Sequence, residues 1–377
     1  MLKILKKIYV LVFILILFVP FLLAHREDNR VAEGENRFYA NVPRLFEESG
    51  AINQEYIQDF GAWINDNARF RSLFRELKVT FLYKVFNYLD LEGARVGTNL
   101  ELYGSNENEI NTMQGRNLLS EQELNTYEEN LYQLQTWLER QDIDFYYMQC
   151  YHKITVLDDY YPEGLVRYNT EYIGENTENY ILQKNRVNIV PLHETMNEAA
   201  KEQNLYFRYT DWCHWNDAGM YLGYTKLMEE IAKKHPTAKG LTMEDYNLKP
   251  TSTYRDVYGF QYPIEEIYEV YEIKEKHAEK IETELNDRLY TKSWTNYYVN
   301  PEKEKRVLVI NDSFIDMGMK HHIAECFNEC MTMELTNLLN IGWLVEEYKP
   351  DIVVLECVET NIHRVKDMLE ELECIKQ

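Results

Sequence analysis

Three short apolar runs, at residues 145–148, 307–310 and 351–355, constrain the fold of this chain more than any other feature. The first follows a helical pattern that opens at residues 120–123 with the capping-box sequence Ser-Glu-Gln-Glu. The last follows a helical pattern at residues 341–348. Strands that are apolar on both faces and alternate with helices are typical of a parallel sheet covered on both sides. The sequence therefore predicts an α/β fold with a mostly parallel sheet covered by helices.

The amino terminus is a membrane-targeting segment. Lys3, Lys6 and Lys7 precede an apolar run at residues 8–24, and acidic residues follow it at 27 and 28. Such a run is either a cleaved signal peptide or a single membrane anchor. Because no small-x-small cleavage motif follows, we favour an uncleaved anchor. Lysines before the run place the N-terminus in the cytoplasm and the remaining chain on the extracytoplasmic side.

The rest of the chain divides into segments that differ in their pattern of apolar and polar residues. Apolar residues recur at helical spacing over residues 60–89, which predicts an amphipathic helical lead-in. Residues 236–305 are polar, Tyr-rich and charged, with a stretch near 265–289 expected to be helical, and we interpret them as an insertion on the sheet. We predict an anchor at 1–26, a linker at 27–50 and an α/β domain at 51–377.

Composition excludes several classes of function. With 40 Lys+Arg against 63 Asp+Glu, the net charge of -23 is incompatible with a basic nucleic-acid binder. No Gly-rich phosphate loop appears, so the sequence predicts no nucleotide cofactor. The six cysteines contain no C-x-x-C pair, which does not favour a zinc ribbon; Cys326 and Cys330 are expected on one face of a helix as buried thiols.

Ser313 is the first candidate for chemistry. It comes three residues after the run at 307–310, in the sequence Asn311-Asp312-Ser313-Phe314. Functional residues of open parallel sheets gather beyond the carboxyl ends of the strands. A serine at a strand-to-helix turn presents its hydroxyl outward, beside N–H groups that can hold an oxyanion. The alternative is that the Asp-Ser pair simply caps a helix.

A second cluster surrounds His214. It follows a predicted strand at 205–207, precedes a predicted helix carrying residues 220–231, and reads Asp211-Trp212-Cys213-His214-Trp215-Asn216. A carboxylate three positions before a histidine can fix the imidazole tautomer while the other ring nitrogen faces a nucleophile. The alternative is that Asp211 or Asn216 caps the helix and His214 packs beside Trp215.

Together the two clusters resemble the AlgX/AlgJ-type polysaccharide O-acetyltransferases, also called DHHW proteins, which have an SGNH-hydrolase-like domain. The resemblance rests on Asp-x-x-His-Trp-Asn before a helix, and on a strand ending in Asp-Ser-Phe about a hundred residues later. The family usually has one residue between the aspartate and the histidine, and the extra residue here is expected to rotate the Asp211 carboxylate. Asn311 stands where the family has glycine.

The resemblance implies a mechanism, with Ser313 as nucleophile, His214 as general base and Asp211 as the carboxylate that orients it. It implies no cofactor. An acetyl group would pass through Ser313 to hydroxyls of an exopolysaccharide or cell-wall glycan, supplied by a membrane-bound O-acyltransferase.

Two other functions remain open at this point. One is a carbohydrate esterase that uses the same triad with water as acceptor. The other is an inactive glycan-binding or assembly protein. A metal mechanism is not expected, because one Asp-His pair supplies two ligands and a catalytic zinc needs three.

Overall fold

A computed structural model describes residues 2–28, 30–32, 37–47, 50–86, 88–89, 94–97, 99–157, 161–257, 260–282, 289–292 and 294–376. The chain divides into two compact units. The N-terminal unit comprises Met1–Asp90 with Asp256–Tyr262, and the sheet unit comprises Leu91–Arg255 with Pro263–Gln377. Residues 29, 33–36 and 48–49 of the predicted linker lie outside the described residues, and the predicted domain boundaries remain predictions.

The helices of the described residues are α1 (Leu2–Leu22), α2 (Tyr56–Asn67), α3 (Arg71–Phe86), α4 (Glu107–Met113), α5 (Glu121–Glu139), α6 (Lys153–Val156), α7 (Ile173–Lys184), α8 (His193–Ala200), α9 (Asp217–Lys234), α10 (Lys320–Ala324), α11 (Ile341–Tyr348) and α12 (Ile362–Glu371). The strands are β1 (Val31–Ala32), β2 (Arg37–Phe38), β3 (Ala94–Val96), β4 (Leu102–Gly104), β5 (Asp144–Cys150), β6 (Ile189–Val190), β7 (Tyr246–Val257), β8 (Phe260–Ile273), β9 (Glu279–Ile281), β10 (Asn296–Val299), β11 (Arg306–Asn311), β12 (Glu329–Glu334) and β13 (Ile352–Val358).

A seven-stranded sheet of order β6-β5-β13-β11-β12-β10-β9 forms the centre of the sheet unit. Neighbours from β6 to β12 pair in parallel, whereas β10 pairs antiparallel with β12 and β9 antiparallel with β10. β11 lies in the middle, with Val309 opposite Val354 on one side and Thr332 on the other. The predicted α/β fold with a mostly parallel sheet is confirmed.

The apolar runs are explained by burial on both faces of the sheet. Val307 and Val309 of β11 belong to one buried cluster, which also contains residues of α9 such as Leu227. Leu308 and Ile310 point the other way, into a second cluster built with α5, α11 and α12. A strand between two helical layers needs apolar side chains at every position rather than at alternate ones.

The predicted capping box is present at the start of α5. Ser120 Oγ accepts the Glu123 N–H, and the Glu123 carboxylate accepts the Ser120 N–H at 2.9 Å. The helical lead-in, in contrast, is two helices. Phe70 has φ 67°, in the left-handed region, and separates α2 from α3.

The predicted helix near 265–289 is wrong where the structure describes it. β8 pairs with β7 in a two-stranded sheet, and β9 follows at the edge of the central sheet. Ile267, Tyr268, Val270 and Tyr271 favour a strand, and their β-propensity outweighs the acidic-basic spacing that suggested a helix.

Two smaller predictions are also wrong. Residues 205–207 form no strand; Tyr206 makes an isolated antiparallel bridge with Trp215. Cys326 and Cys330 do not share a helix, because α10 ends at Ala324 and Cys330 lies in β12. Both thiols are nevertheless buried, as expected.

The apolar amino terminus forms α1. Its segment Ile4–Leu22 has a mean hydropathy of 2.4, and by length and composition this helix could cross a membrane.

Candidate active site

Ser313 lies two residues beyond β11, at the carboxyl edge of the sheet. The Asp312 carboxylate fixes this turn because Oδ1 accepts the Phe314 N–H at 3.0 Å, while Oδ2 accepts the Val358 N–H at 2.6 Å and the Asn361 side-chain amide at 3.0 Å. The end of β11 is thereby fastened to the end of the neighbouring strand β13. The Ser313 backbone therefore has a defined position where parallel-sheet enzymes place their chemistry.

A second carboxyl group supports the same turn from below. Glu356 of β13 is fully buried, and its Oε2 accepts the Asp312 N–H at 3.0 Å. Burial, together with the neighbouring Asp312, raises the pKa of Glu356 well above its usual value. The site therefore favours the protonated form of Glu356. Asn311 ends β11 as an extended strand residue, so this turn does not need the conformational freedom of the family's glycine.

The structure brings Ser313, His214 and Asp211 together. His214 Nε2 lies 2.8 Å from Ser313 Oγ, and His214 Nδ1 lies 3.0 Å from Asp211 Oδ2. Since a carboxylate can only accept, it assigns the ring proton to Nδ1 and leaves the Nε2 lone pair facing the serine hydroxyl. This is the geometry of a nucleophile, a base and an orienting carboxylate.

The extra residue between Asp211 and His214 does not carry the carboxylate away from the ring. Asp211 Oδ1 accepts the backbone N–H groups of Cys213 and His214, at 2.8 and 2.9 Å. These bonds fold residues 211–214 into a tight turn, in which the other carboxylate oxygen points back at the imidazole. The wider spacing is therefore compatible with the contact.

Burial and charge act on His214 and Asp211 in opposite directions. Burial alone would lower the pKa of His214, but the Asp211 carboxylate outweighs it and raises this pKa above 6.5. Burial would likewise raise the pKa of Asp211, yet His214 and the two N–H donors hold it well below 3.8. Asp211 is thus ionised at any physiological pH.

A buried lysine holds the loop that carries Asp211. Lys153, at the start of α6, is completely buried, and its Nζ donates to the carbonyl oxygens of Phe207, Arg208 and Asp211 at 3.1, 3.3 and 3.0 Å. Burial lowers the pKa of Lys153 to about 8, so the ammonium form still predominates at pH 7. The sequence alone gives Lys153 no role, because its three acceptors lie 54–58 positions away along the chain.

A buried glutamate holds the same loop through its N–H groups. Glu266 of β8 is 2 % exposed, and its Oε2 accepts the backbone N–H groups of Arg208, Tyr209 and Thr210 at 2.7, 2.6 and 3.2 Å. No local sequence pattern could have found Glu266, because its partners are 56–58 positions away. We call Lys153 and Glu266 the loop clamp.

Potential metal ligands also gather here. Among the described residues, Glu109, His152 and Cys213 have ligand atoms within 4.8 Å of one another, and so do Asp211, Cys213 and His214. Glu109 Oε1 already accepts the Trp212 indole N–H at 3.0 Å, and Asp211 is paired with His214. The metal-independent mechanism stays a prediction.

Known proteins resemble this chain in structure. No protein-family model and no curated protein matches the chain. Among solved structures, PatB1 from Bacillus cereus is 18 % identical over 64 % of this chain and 90 % of its own, with a TM-score of 0.50. The matched part of the chain has the fold of PatB1.

Two further solved structures bear the names that the sequence motifs suggested. A DHHW family protein from Eubacterium siraeum is 12 % identical, covering 74 % of this chain and 97 % of its own, with a TM-score of 0.48. The O-acetyltransferase domain of Pseudomonas putida AlgJ is also 12 % identical, covering 72 % and 92 %, with a TM-score of 0.46. Structures with these names are thus among those that are similar to this chain.

The opposing effects on His214 give a first prediction. Asp211→Asn removes the charge that raises the pKa of His214 but leaves the ring buried, so this pKa falls below that of the unmodified protein. NMR titration of histidine-labelled protein measures it, with His214→Gln identifying the resonance. An unchanged pKa in Asp211→Asn would contradict the assigned pairing.

The loop clamp gives a second prediction. Lys153→Met removes the Nζ donor from three carbonyl groups. The Arg208 carbonyl still accepts the Leu102 N–H, but each buried group left unsatisfied costs about 1–3 kcal/mol. Amide hydrogen exchange in residues 205–214 is expected to accelerate at least about tenfold, while exchange in β5 stays slow. Lys201→Met removes an exposed lysine and serves as the control. Equal exchange in both variants would mean that Lys153 does not hold the loop.

Proposed function

We propose that this chain is an extracytoplasmic O-acetyltransferase that moves acetyl groups through Ser313 to hydroxyls of an exopolysaccharide or cell-wall glycan. The observation that carries the proposal is the continuous path from Ser313 Oγ to His214 and on to Asp211, at 2.8 and 3.0 Å. An imidazole that contacts a serine hydroxyl and is oriented by a carboxylate is the arrangement that activates serine for acyl transfer.

In the proposed first step, Ser313 Oγ attacks the acetyl carbonyl while His214 Nε2 takes the hydroxyl proton. The tetrahedral intermediate collapses as His214 returns that proton to the leaving group of the donor, which leaves acetyl-Ser313. In the second step, a sugar hydroxyl gives its proton to His214 and attacks the acetyl-serine. Collapse of this intermediate restores the proton to Ser313 Oγ.

The Ser313 backbone N–H is proposed to stabilise the oxyanion in both steps. It lies in the turn that Asp312 and Glu356 hold in place, where the chain leaves β11 and enters a short helical segment. Donors that are fixed before the reaction need no reorganisation as charge develops on the carbonyl oxygen.

Two pockets of the sheet unit support a carbohydrate acceptor; one is lined by Asn361, which bonds to Asp312, and the other by Trp215, which follows His214 in the chain. One, of about 290 Å³, is lined by polar residues of α4 and by Thr360 and Asn361. The other, of about 540 Å³, includes the aromatic rings of Phe207, Tyr268 and Tyr271. Hydroxyl-rich sugars suit such a mixture of polar groups and aromatic faces. A net charge of -23 favours a glycan that is not strongly anionic.

The location of the protein and its partner follow from the same proposal. α1 would anchor the chain in the membrane and leave the sheet unit outside the cytoplasm. Acetyl donors are made in the cytoplasm, so a membrane-bound O-acyltransferase is proposed to deliver the acetyl group across the membrane to Ser313.

The proposal predicts acetylation of added oligosaccharide. The protein is incubated with a chromogenic acetyl ester and candidate neutral oligosaccharides, while mass spectrometry follows acetyl on Ser313 and on the sugar. Ser313→Ala and His214→Ala are each expected to lower transfer by at least about a thousandfold, because both groups act in both steps. Ser252→Ala, at an exposed serine of β7, is the matched control.

The outcomes separate the three candidate functions. Serine-dependent acetylation of the sugar supports the transferase. Serine-dependent release of acetate, without sugar product, supports the esterase instead. No turnover and no label on Ser313 would leave a glycan-binding or assembly protein.

A further inference from the structure

Helix α3 exposes a row of apolar residues on one of its sides. Leu73, Phe74, Leu77, Phe81 and Val85 are 48, 42, 55, 57 and 57 % exposed, and their spacing of three and four positions places them on one side. We call these five residues the apolar face of α3.

The opposite side of α3 packs inward. Val79 is 3 % exposed, and Arg71, Arg75 and Glu76 are half-buried. A helix at the surface of a water-soluble unit normally has the reverse arrangement, with its apolar side against the core. A contiguous apolar patch of this kind marks a surface that contacts something other than water.

The charge of this segment differs from that of the rest of the protein. Residues 69–86 contain five basic residues and one acidic residue, in a chain whose net charge is -23. Two of the basic residues, Lys78 and Lys84, are exposed. Lys78 borders the apolar face, and Lys84, seven positions after Leu77, lies on the same side in the last turn of α3. Basic residues that border an apolar face are typical of helices that lie on anionic membranes.

The turn before α3 is bonded to the end of the apolar helix α1. The Arg69 N–H donates to the Pro20 carbonyl at 2.9 Å, and the His25 N–H donates to the Asn67 carbonyl at 2.9 Å. α1 has 21 residues, so it is about 32 Å long, close to the thickness of a bilayer core. If α1 spans the membrane, α3 therefore begins at the level of the outer interface.

We infer that α3 is an interfacial helix that lies on the outer surface of the membrane, with its apolar face among the acyl chains and Lys78 and Lys84 at anionic headgroups. The inference rests on the anchoring part of the proposed function and is independent of the acetyl chemistry. A lipid surface fits better than a protein partner because the bond to α1 brings α3 to the membrane and the excess of basic residues suits its headgroups. Together α1 and α3 would hold the N-terminal unit at the surface by two contacts.

Spin labelling of the full chain tests this inference. The protein carries Cys374→Ser, so that the remaining native thiols are buried, and is reconstituted into vesicles of phosphatidylcholine and phosphatidylglycerol. A nitroxide is attached at Leu77→Cys, at Val12→Cys as the reference within α1, or at Lys233→Cys as an exposed reference in α9. Frequent collision of the nitroxide with oxygen indicates that the label lies in lipid, and frequent collision with a nickel chelate indicates that it lies in water.

The Leu77→Cys label is expected to collide with oxygen and to be several-fold less accessible to the nickel chelate than the label at Lys233→Cys. Adding Leu73→Glu and Phe81→Glu, at exposed positions that do not disturb the core, should return the label to water. If the Val12→Cys label lies in lipid while Leu77→Cys stays in water, the inference is overturned and the anchor stands. If the Leu77→Cys label is shielded from both oxygen and the nickel chelate, the inference is also overturned, because the apolar face of α3 is then covered by protein and not by lipid. If the Val12→Cys label itself lies in water, the anchor and the inference fail together.

Discussion

The loop that carries Asp211 and His214 depends on two buried side chains, those of Lys153 and Glu266. Between the bridged residues Tyr206 and Trp215, the chain belongs to no strand, so its peptide groups need other partners. The Lys153 ammonium donates hydrogen bonds to carbonyl groups of the loop, and the Glu266 carboxylate accepts hydrogen bonds from its N–H groups. Each such group, left unsatisfied, would cost about 1–3 kcal/mol. The clamp therefore gives the peptide groups of this irregular segment hydrogen-bond partners that a strand would find in its neighbours.

Ser313 is also held in a defined position, but by contacts of the sheet and not by the loop clamp. It extends from the central strand of a parallel sheet, and the Asp312 carboxylate binds that strand end to β13. Nearby, burial raises the pKa of Glu359 to about 7, and this group accepts the His152 N–H at 2.9 Å and the Gly174 N–H at 3.2 Å. Buried carboxyl groups thus connect the loops at the edge of the sheet. The 2.8 Å contact between Ser313 and His214 forms where the end of β11, held by Asp312, meets the loop held by the loop clamp.

The parts of this arrangement that follow local rules could be predicted from the sequence. Apolar runs located β5, β11 and β13, and the strand-to-turn position singled out Ser313. The long-range parts could not be predicted, because Glu266 lies in β8, where the sequence pattern predicts a helix. Nor does the pattern reveal the turn closed by Asp211 Oδ1, which compensates for the additional residue between Asp211 and His214. Side-chain bonds to a distant backbone leave no periodic signal in the sequence.

Covalent labelling with a sulfonyl fluoride tests most directly whether Ser313 is an activated nucleophile. Among serines, the reagent reacts rapidly only with one whose proton is removed by a neighbouring base. The account predicts one adduct per chain, located at Ser313 by peptide mass mapping, and its loss in His214→Ala. No adduct at Ser313, or an adduct that forms equally fast in His214→Ala, would contradict the assignment of Ser313 and His214 as nucleophile and base.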